Sequence, residues 1–267
     1  MGPHHEHTSR VVTIRRLAAW SPILALLAGC ATTAPLAVSP QMDEAHALGG
    51  YSARFRQGEH ERNHNIATAA AALDGRVIAP GATFSFNQAV GPRTGKRGYR
   101  VAPTLTLDGA EPALGGGVCQ VSSVLFNALM QADLELVERT QHSRPIRYIP
   151  PGRDATVSWG HLDLRVRNPH PFPVTIRSEV RAHRLTFWVK ASEPLDHEVR
   201  LVTEQVESAS PKRPVEMFGS GEAPPDSQRL EGAYVKLFRE RLLDGRVYER
   251  ERLANTLYLT GVSGARR

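Results

Sequence analysis

Residues 115–132, GGGVCQVSSVLFNALMQA, set three glycines directly before a segment in which Val121, Val124, Leu125, Ala128, Leu129 and Ala132 recur at three- and four-residue steps. That spacing predicts a helix starting near Cys119, with one apolar stripe to bury. The flanking sequence offers strands as partners. Val77-Ile78 and Thr83–Phe86 read as short strands around Pro80-Gly81, and Thr104–Leu107 as another, closed by Asp108-Gly109. Residues 134–168 alternate in strand fashion, with Pro150-Pro151-Gly152 as a turn. Residues 172–192 form a hairpin turning near Ala182-His183, and a second β-rich segment from about residue 200 ends in a hairpin at Asp244-Gly245. One further helix, Asn65–Leu73, closes at Asp74-Gly75. The expected class is α+β: a Cys-bearing helix packed on an antiparallel sheet, followed by a small β-rich C-terminal segment.

The amino end carries a different signal. Arg10, Arg15 and Arg16 precede a short apolar stretch that ends Leu27-Ala28-Gly29-Cys30. This order predicts a secretory signal over residues 1–29. The ending resembles a bacterial lipobox, which makes Cys30 the lipidation site. A membrane-spanning helix is the alternative, but Leu17–Leu27 is too short to cross a bilayer. Ala31 after the cysteine favours the outer membrane, so the chain is expected on the periplasmic face of the envelope, held by a lipid. Residues 30–48, rich in Ala, Thr and Pro, read as a tether. The main domain is expected over 49–195 and the β-rich segment over 196–267. Removal of the signal takes away three arginines (10, 15 and 16) and Glu6, so the net charge falls from +6 to +4. A basic exported protein meets anionic envelope polymers or lipid head groups rather than nucleic acid.

The chain has two cysteines. With Cys30 lipidated, Cys119 has no disulfide partner, and an unpaired thiol in an exported protein is a candidate nucleophile. A buried, inert cysteine is the plainer alternative. A helix start lowers a thiol pKa through unpaired N–H groups and the helix dipole, and a nearby imidazole adds to it. His142 follows in the next strand-like segment. A turn at 151–153 sets it opposite residue 162, within one residue. Asp163 is then the expected partner that orients the imidazole; His161 falls within the same error, and Asp154, in the turn, is a weaker candidate. The order of Cys on a helix, then His and Asp on successive strands, is analogous to papain-like and transglutaminase-like enzymes. Gly116, Gly117, Gln120 and Ser122 flank the thiol as substrate-contact candidates, with Arg153 in the turn. Arg93, in a basic loop with Lys96 and Arg97, is a candidate for binding substrate carboxylates. Glu61-Arg62 with Asn63 and Asn65 reads as a polar cluster near the site or as a helix cap. No ligand spacing suggests zinc, and the glycine run lacks the Lys-Ser/Thr of a phosphate loop, so no metal or cofactor is expected.

The stretches NHNIATAAAALDGRVIAPGATFSFNQAVGPRTGKRGY, GGGVCQVSSVLFNAL, ERTQHSRPIRYIPPGRDATV and LDLRVRN resemble the VanW family in order over about residues 50–180. The C-terminal DGRVYERERL resembles the G5-like β tail that often follows that domain. His161 departs from the family pattern, which has a smaller residue there. The resemblance implies action on cell-wall peptidoglycan, with some members similar to L,D-transpeptidases in activity. Carried over, it makes Cys119 the acyl-enzyme site and His142 the base, with stem peptides as substrate. A non-catalytic wall-binding lipoprotein is the rival expectation.

Overall fold

The computed structural model describes residues 46–106, 109–209 and 232–258. The signal peptide, Cys30 and most of the tether lie outside the described residues. The chain runs β1 (His46–Arg54), α1 (His60–Leu73), β2 (Val77–Ile78), β3 (Thr83–Ser85), α2 (Phe86–Val90), a 3-10 turn (Gly95–Arg97), β4 (Val101–Thr106) and β5 (Gly109–Leu114). Then follow α3 (Val118–Gln131), β6 (Glu135–Glu138), β7 (Arg165–Arg167), β8 (Val174–Arg181), β9 (Arg184–Ala191), β10 (Glu198–Ala209), β11 (Gly232–Leu243) and β12 (Arg246–Leu257). The class is mixed helix and sheet, and the strand pairs are antiparallel.

The largest sheet has the order β1-β9-β8-β2. Its inner face follows the two-residue period of a strand: Val174 and Ile176 on β8, and Leu185, Phe187 and Val189 on β9, are buried. Against this face lies α3, whose Val118, Val121, Val124, Leu125, Phe126, Ala128, Leu129 and Met130 are all buried. Even its polar Gln120, Ser122, Ser123 and Asn127 are buried. A helix apolar beyond one stripe is enclosed on several sides. α1 packs on α3 and β8, and Phe84, Leu136 and Val166 of the small sheet β3-β7-β6 join the same core.

The sheet β10-β11-β12 meets the far end of α3. Leu201 and Leu237 join the main core. Arg239, almost fully buried, donates to the Leu134 carbonyl at 2.7 Å and pairs with Asp133. A buried guanidinium needs such partners to offset its lost hydration.

Local expectations differ from the structure in four places. β1 begins at His46, inside the expected tether, and α1 begins at His60 rather than Asn65. Thr83–Phe86 is not all strand: Ser85 caps α2, its Oγ accepting from Gln88 N at 3.1 Å, and Phe86 opens the helix. The alternating stretch 134–168 is regular strand only at β6 and β7. Between them the chain is irregular, held by isolated bridges Thr140–Thr156 and Ser158–Leu162.

Candidate thiol centre

The glycines bring the chain into α3 by a route a side chain would block. A Cβ on Gly116 would stand 2.6 Å from the carbonyl oxygens of both Ala102 and Pro103 in β4. Gly117, the N-cap, has φ 104°, a conformation that costs L-residues with a Cβ. Cys119 is therefore the second residue of α3 and half-buried, where the helix dipole favours negative charge; the N–H groups on either side are already used, Val118 N by the Gly115 carbonyl and Gln120 N by the Gly117 carbonyl.

The hydroxyls of the next turn bind residues 153–157 along the helix. Ser122 Oγ donates to the Ala155 carbonyl at 2.7 Å, and Ser123 Oγ accepts from Ala155 N at 3.0 Å. Asn127 Nδ2 donates to the Arg153 carbonyl at 2.8 Å. This clamp puts the Val157 carbonyl 3.5 Å from Cys119 Sγ, an acceptor suited to the protonated thiol because only S–H can donate there.

The isolated bridge decides what faces His142. Thr140 pairs with Thr156, so two residues on, position 142 faces position 154. Asp154 Oδ2 lies 2.6 Å from both His142 N and His142 Nδ1. Its other oxygen, Oδ1, accepts from Arg139 Nη2 at 3.1 Å and from the hydroxyl of Tyr258. Arg139 also donates from Nε to the Asp154 carbonyl at 2.6 Å and lies over the Phe126 ring at 5.3 Å. His142 and Asp154 are both buried. With Nδ1 committed to Asp154, His142 Nε2 is buried without a well-aligned partner, and the Cys119 thiol is near enough to interact with the ring by hydrogen bond and charge.

Burial alone would push the Cys119 thiol up. The hydrogen bond and charge of His142 outweigh it, with help from the Arg93 charge, and the thiol falls below its ordinary value. Burial alone would lower His142, but its hydrogen bonds to Asp154 and Cys119 raise it to about 9. Asp154, which burial would raise, is held low chiefly by His142 and also by Arg139. The shifts favour one state, a thiolate beside an imidazolium, and the two groups titrate as a pair. Tyr148 lies close by; burial, and then the Cys119 charge, raise its phenol, which stays protonated and able to donate.

Asp163 is not beside His142. Its Oδ1 accepts from Asn87 N at 2.9 Å and from Leu164 N at 2.9 Å, and its Oδ2 accepts from Ser85 Oγ, so it holds the start of α2. The expected turn forms, with Arg153 N donating to the Pro150 carbonyl at 3.2 Å, but the strands do not pair symmetrically about it: the Thr140–Thr156 bridge shifts the register and brings in Asp154. His161 is exposed in the Ser158–Leu162 turn. Gln120 is buried and spans from Arg62 Nη2, 2.7 Å from its Oε1, to the Arg54 carbonyl, 2.8 Å from its Nε2. Ser122 belongs to the clamp. Arg153 turns away, its guanidinium donating to the Leu201 carbonyl in β10. Gln120, Ser122 and Arg153 thus position the backbone rather than line a substrate path. Arg93 remains near the thiol: its stem packs on Gly115, its Nη1 donates to the Gly91 carbonyl at 2.9 Å, and its Nη2 has no hydrogen-bond partner among the described residues. Burial lowers its pKa, against charges that include Cys119 and Asp163.

Sequence reasoning missed Arg139, Ser123 and Tyr258. Ser123 stands one turn beyond Cys119 on the same helix, a spacing that could have exposed it. Nothing local marks the other two. Among the described residues no cluster of His, Cys, Asp or Glu could hold a metal ion. A cleft of about 720 Å³ opens at the other end of α3, beside Asp133, Arg239 and Arg241, and Cys119 is not among its lining residues. No described helix is long and apolar enough to cross a membrane.

The family described as VanW like protein matches residues 61–189, the stretch that contains Cys119, His142 and Asp154. A Bacillus subtilis relative, Uncharacterized protein YoaR, is 42% identical over 155 residues, covering 58% of this chain and 51% of the relative. The Vancomycin B-type resistance protein VanW of Enterococcus faecalis is 34% identical over 111 residues, covering 39% of this chain and 40% of that protein. The chain thus spans about half or less of the curated relatives it matches. No solved structure matches it significantly. The match at residues 61–189 and both relatives support membership of the VanW family for that domain of the chain.

Proposed function

We propose that the protein is a cysteine acyltransferase acting on peptidoglycan stem peptides, held at the periplasmic face of the cell envelope by a lipid on Cys30. The observation that carries the reading is the buried relay from Asp154 through His142 to a thiol at the start of α3. Its order of roles resembles that of papain-like enzymes, and the printed name of the Enterococcus faecalis relative, a vancomycin B-type resistance protein, supports a cell-wall setting.

In this reading the Cys119 thiolate attacks a peptide carbonyl, forming a C–S bond and an oxyanion. The amino end of α3, through its dipole and the Cys119 N–H, stabilises that charge. The C–N bond then breaks, and the His142 Nε2 proton goes to the departing amine. An incoming amine attacks the thioester, returns a proton to His142 and releases the thiolate, leaving a new amide; water in its place gives hydrolysis. Asp154 keeps the imidazole oriented throughout. Arg93, with an unpartnered Nη2, supplies a cation for a stem carboxylate bound beside the thiol.

Incubating the protein with muropeptides tests this. Crosslinked or cleaved products, and an acyl adduct on Cys119 by mass spectrometry, are expected with the native chain and absent with Cys119→Ala. Equal product formation by that variant removes the catalytic reading and leaves a wall-binding lipoprotein.

A further inference from the structure

The carboxylate that orients His142 is itself held from outside the domain matched to the family. We infer that Tyr258 is a positioning residue of the thiol centre, fixing Asp154 through its hydroxyl, so that the C-terminal β segment is a working part of that centre. The inference rests on the role proposed for the Cys119–His142–Asp154 relay.

Tyr258 follows β12 directly, nearly seventy residues beyond the end of the family match. Its side chain is fully buried, and it packs with Ala233 and Val235 in a small apolar cluster. Its own N–H donates to the Ala233 carbonyl at 2.9 Å, which ties the ring to β11. The hydroxyl accepts from Gly152 N at 2.6 Å and donates to Asp154 Oδ1. A phenol has one proton and Gly152 brings its own, so the phenolic proton is free only for the carboxylate. Burial and the Asp154 charge raise the Tyr258 pKa, which keeps that proton in place.

The carboxylate is then saturated. Oδ1 takes Tyr258 and Arg139, and Oδ2 takes the backbone N–H and Nδ1 of His142. Four donors fill its lone-pair sites, and each one limits how strongly Asp154 pulls on the imidazole proton. The same segment touches the other donor on Oδ1: Thr256 Oγ1 accepts from Arg139 Nη1 at 3.4 Å.

Two variants of the full chain test this with opposite signs. Tyr258→Phe removes one donor, Asp154 leans harder on Nδ1–H, and the His142 titration moves up by about half a pH unit. With 3-fluorotyrosine at position 258 the phenol donates more strongly and keeps its shape, so the His142 titration moves down. Ring NMR of His142 follows both, and alkylation of Cys119 against pH follows the thiol. Neither readout needs a peptidoglycan substrate, so failure of the acyl-transfer reading leaves them standing. A hydroxyl that merely satisfied Gly152 would change thermal stability alone. Should Tyr258→Phe not fold, the fluorinated variant carries the test. Unmoved titrations, or shifts of the same sign, overturn the inference.

Discussion

Asp154→Asn keeps the shape of the side chain and removes its charge. His142 stands at about 9 against an ordinary 6.5, a difference of about 3 kcal/mol at 1.36 kcal/mol per unit. Burial opposes that shift, and the hydrogen bond to Asp154 is the largest contribution raising it. Giving Asp154 about 2 kcal/mol, its loss weakens the imidazolium about 30-fold. His142 is the chief group that holds the Cys119 thiol below its ordinary value, so the balance moves from the ion pair toward neutral thiol and imidazole by a similar factor. The assay is the rate of Cys119 alkylation by iodoacetamide near pH 6, where an ordinary thiol is almost wholly protonated. A fall of about 10- to 30-fold is expected, with circular dichroism reporting an intact fold. Asp163→Asn is the matched control. It keeps an oxygen for Asn87 N and Leu164 N but replaces the one that accepts from Ser85 Oγ with an NH2 group, and costs about 1 kcal/mol of stability while leaving alkylation unchanged. Alkylation within twofold of native in Asp154→Asn, or an equal loss in Asp163→Asn, refutes the assignment of Asp154.

Further outcomes follow from the same geometry. The pH profile of turnover should rise at a pH below the ordinary thiol value, as Cys119 ionises, and fall near 9, as His142 loses the proton needed by the leaving amine, whereas alkylation of the thiolate should show no alkaline fall. Because the folded His142 value lies above the unfolded one, its contribution to stability is complete below about 6.5 and is lost as pH rises through about 9; urea midpoints against pH, compared between native and His142→Gln, should show that loss only in the native chain. Gly116→Ala puts a methyl against two backbone carbonyls and should cost about 1–3 kcal/mol in urea unfolding, with slower alkylation as the helix start shifts. Arg153→Ala should lower stability through its lost contact with β10 yet leave the KM for muropeptides unchanged.

Much of the frame is legible locally. The three- and four-residue spacing after Gly117 places the start of α3 within a residue, since the pattern needs only neighbours on one helix face. The turns at Ala182-His183 and Asp244-Gly245 are also local: all four residues adopt positive φ, and the strands β8–β9 and β11–β12 fold back there. Cys119 and His142 can be picked out because their residue types are few and their chemistry is distinctive.

The sequence by itself determines that Cys119 begins a buried helix and that His142 follows in the next segment. The identity of the third member is another matter. Asp154 and Asp163 are equally acidic on paper, and a shifted pairing register exchanges one for the other; the Thr140–Thr156 bridge and the serine clamp on α3 make that choice in three dimensions. Tyr258 lies 104 positions from Asp154 and reaches it only because the C-terminal sheet docks beside Gly152. Contacts closed over such distances leave no period or spacing in the chain. Tertiary packing alone decides which carboxylate steadies His142, and what steadies that carboxylate.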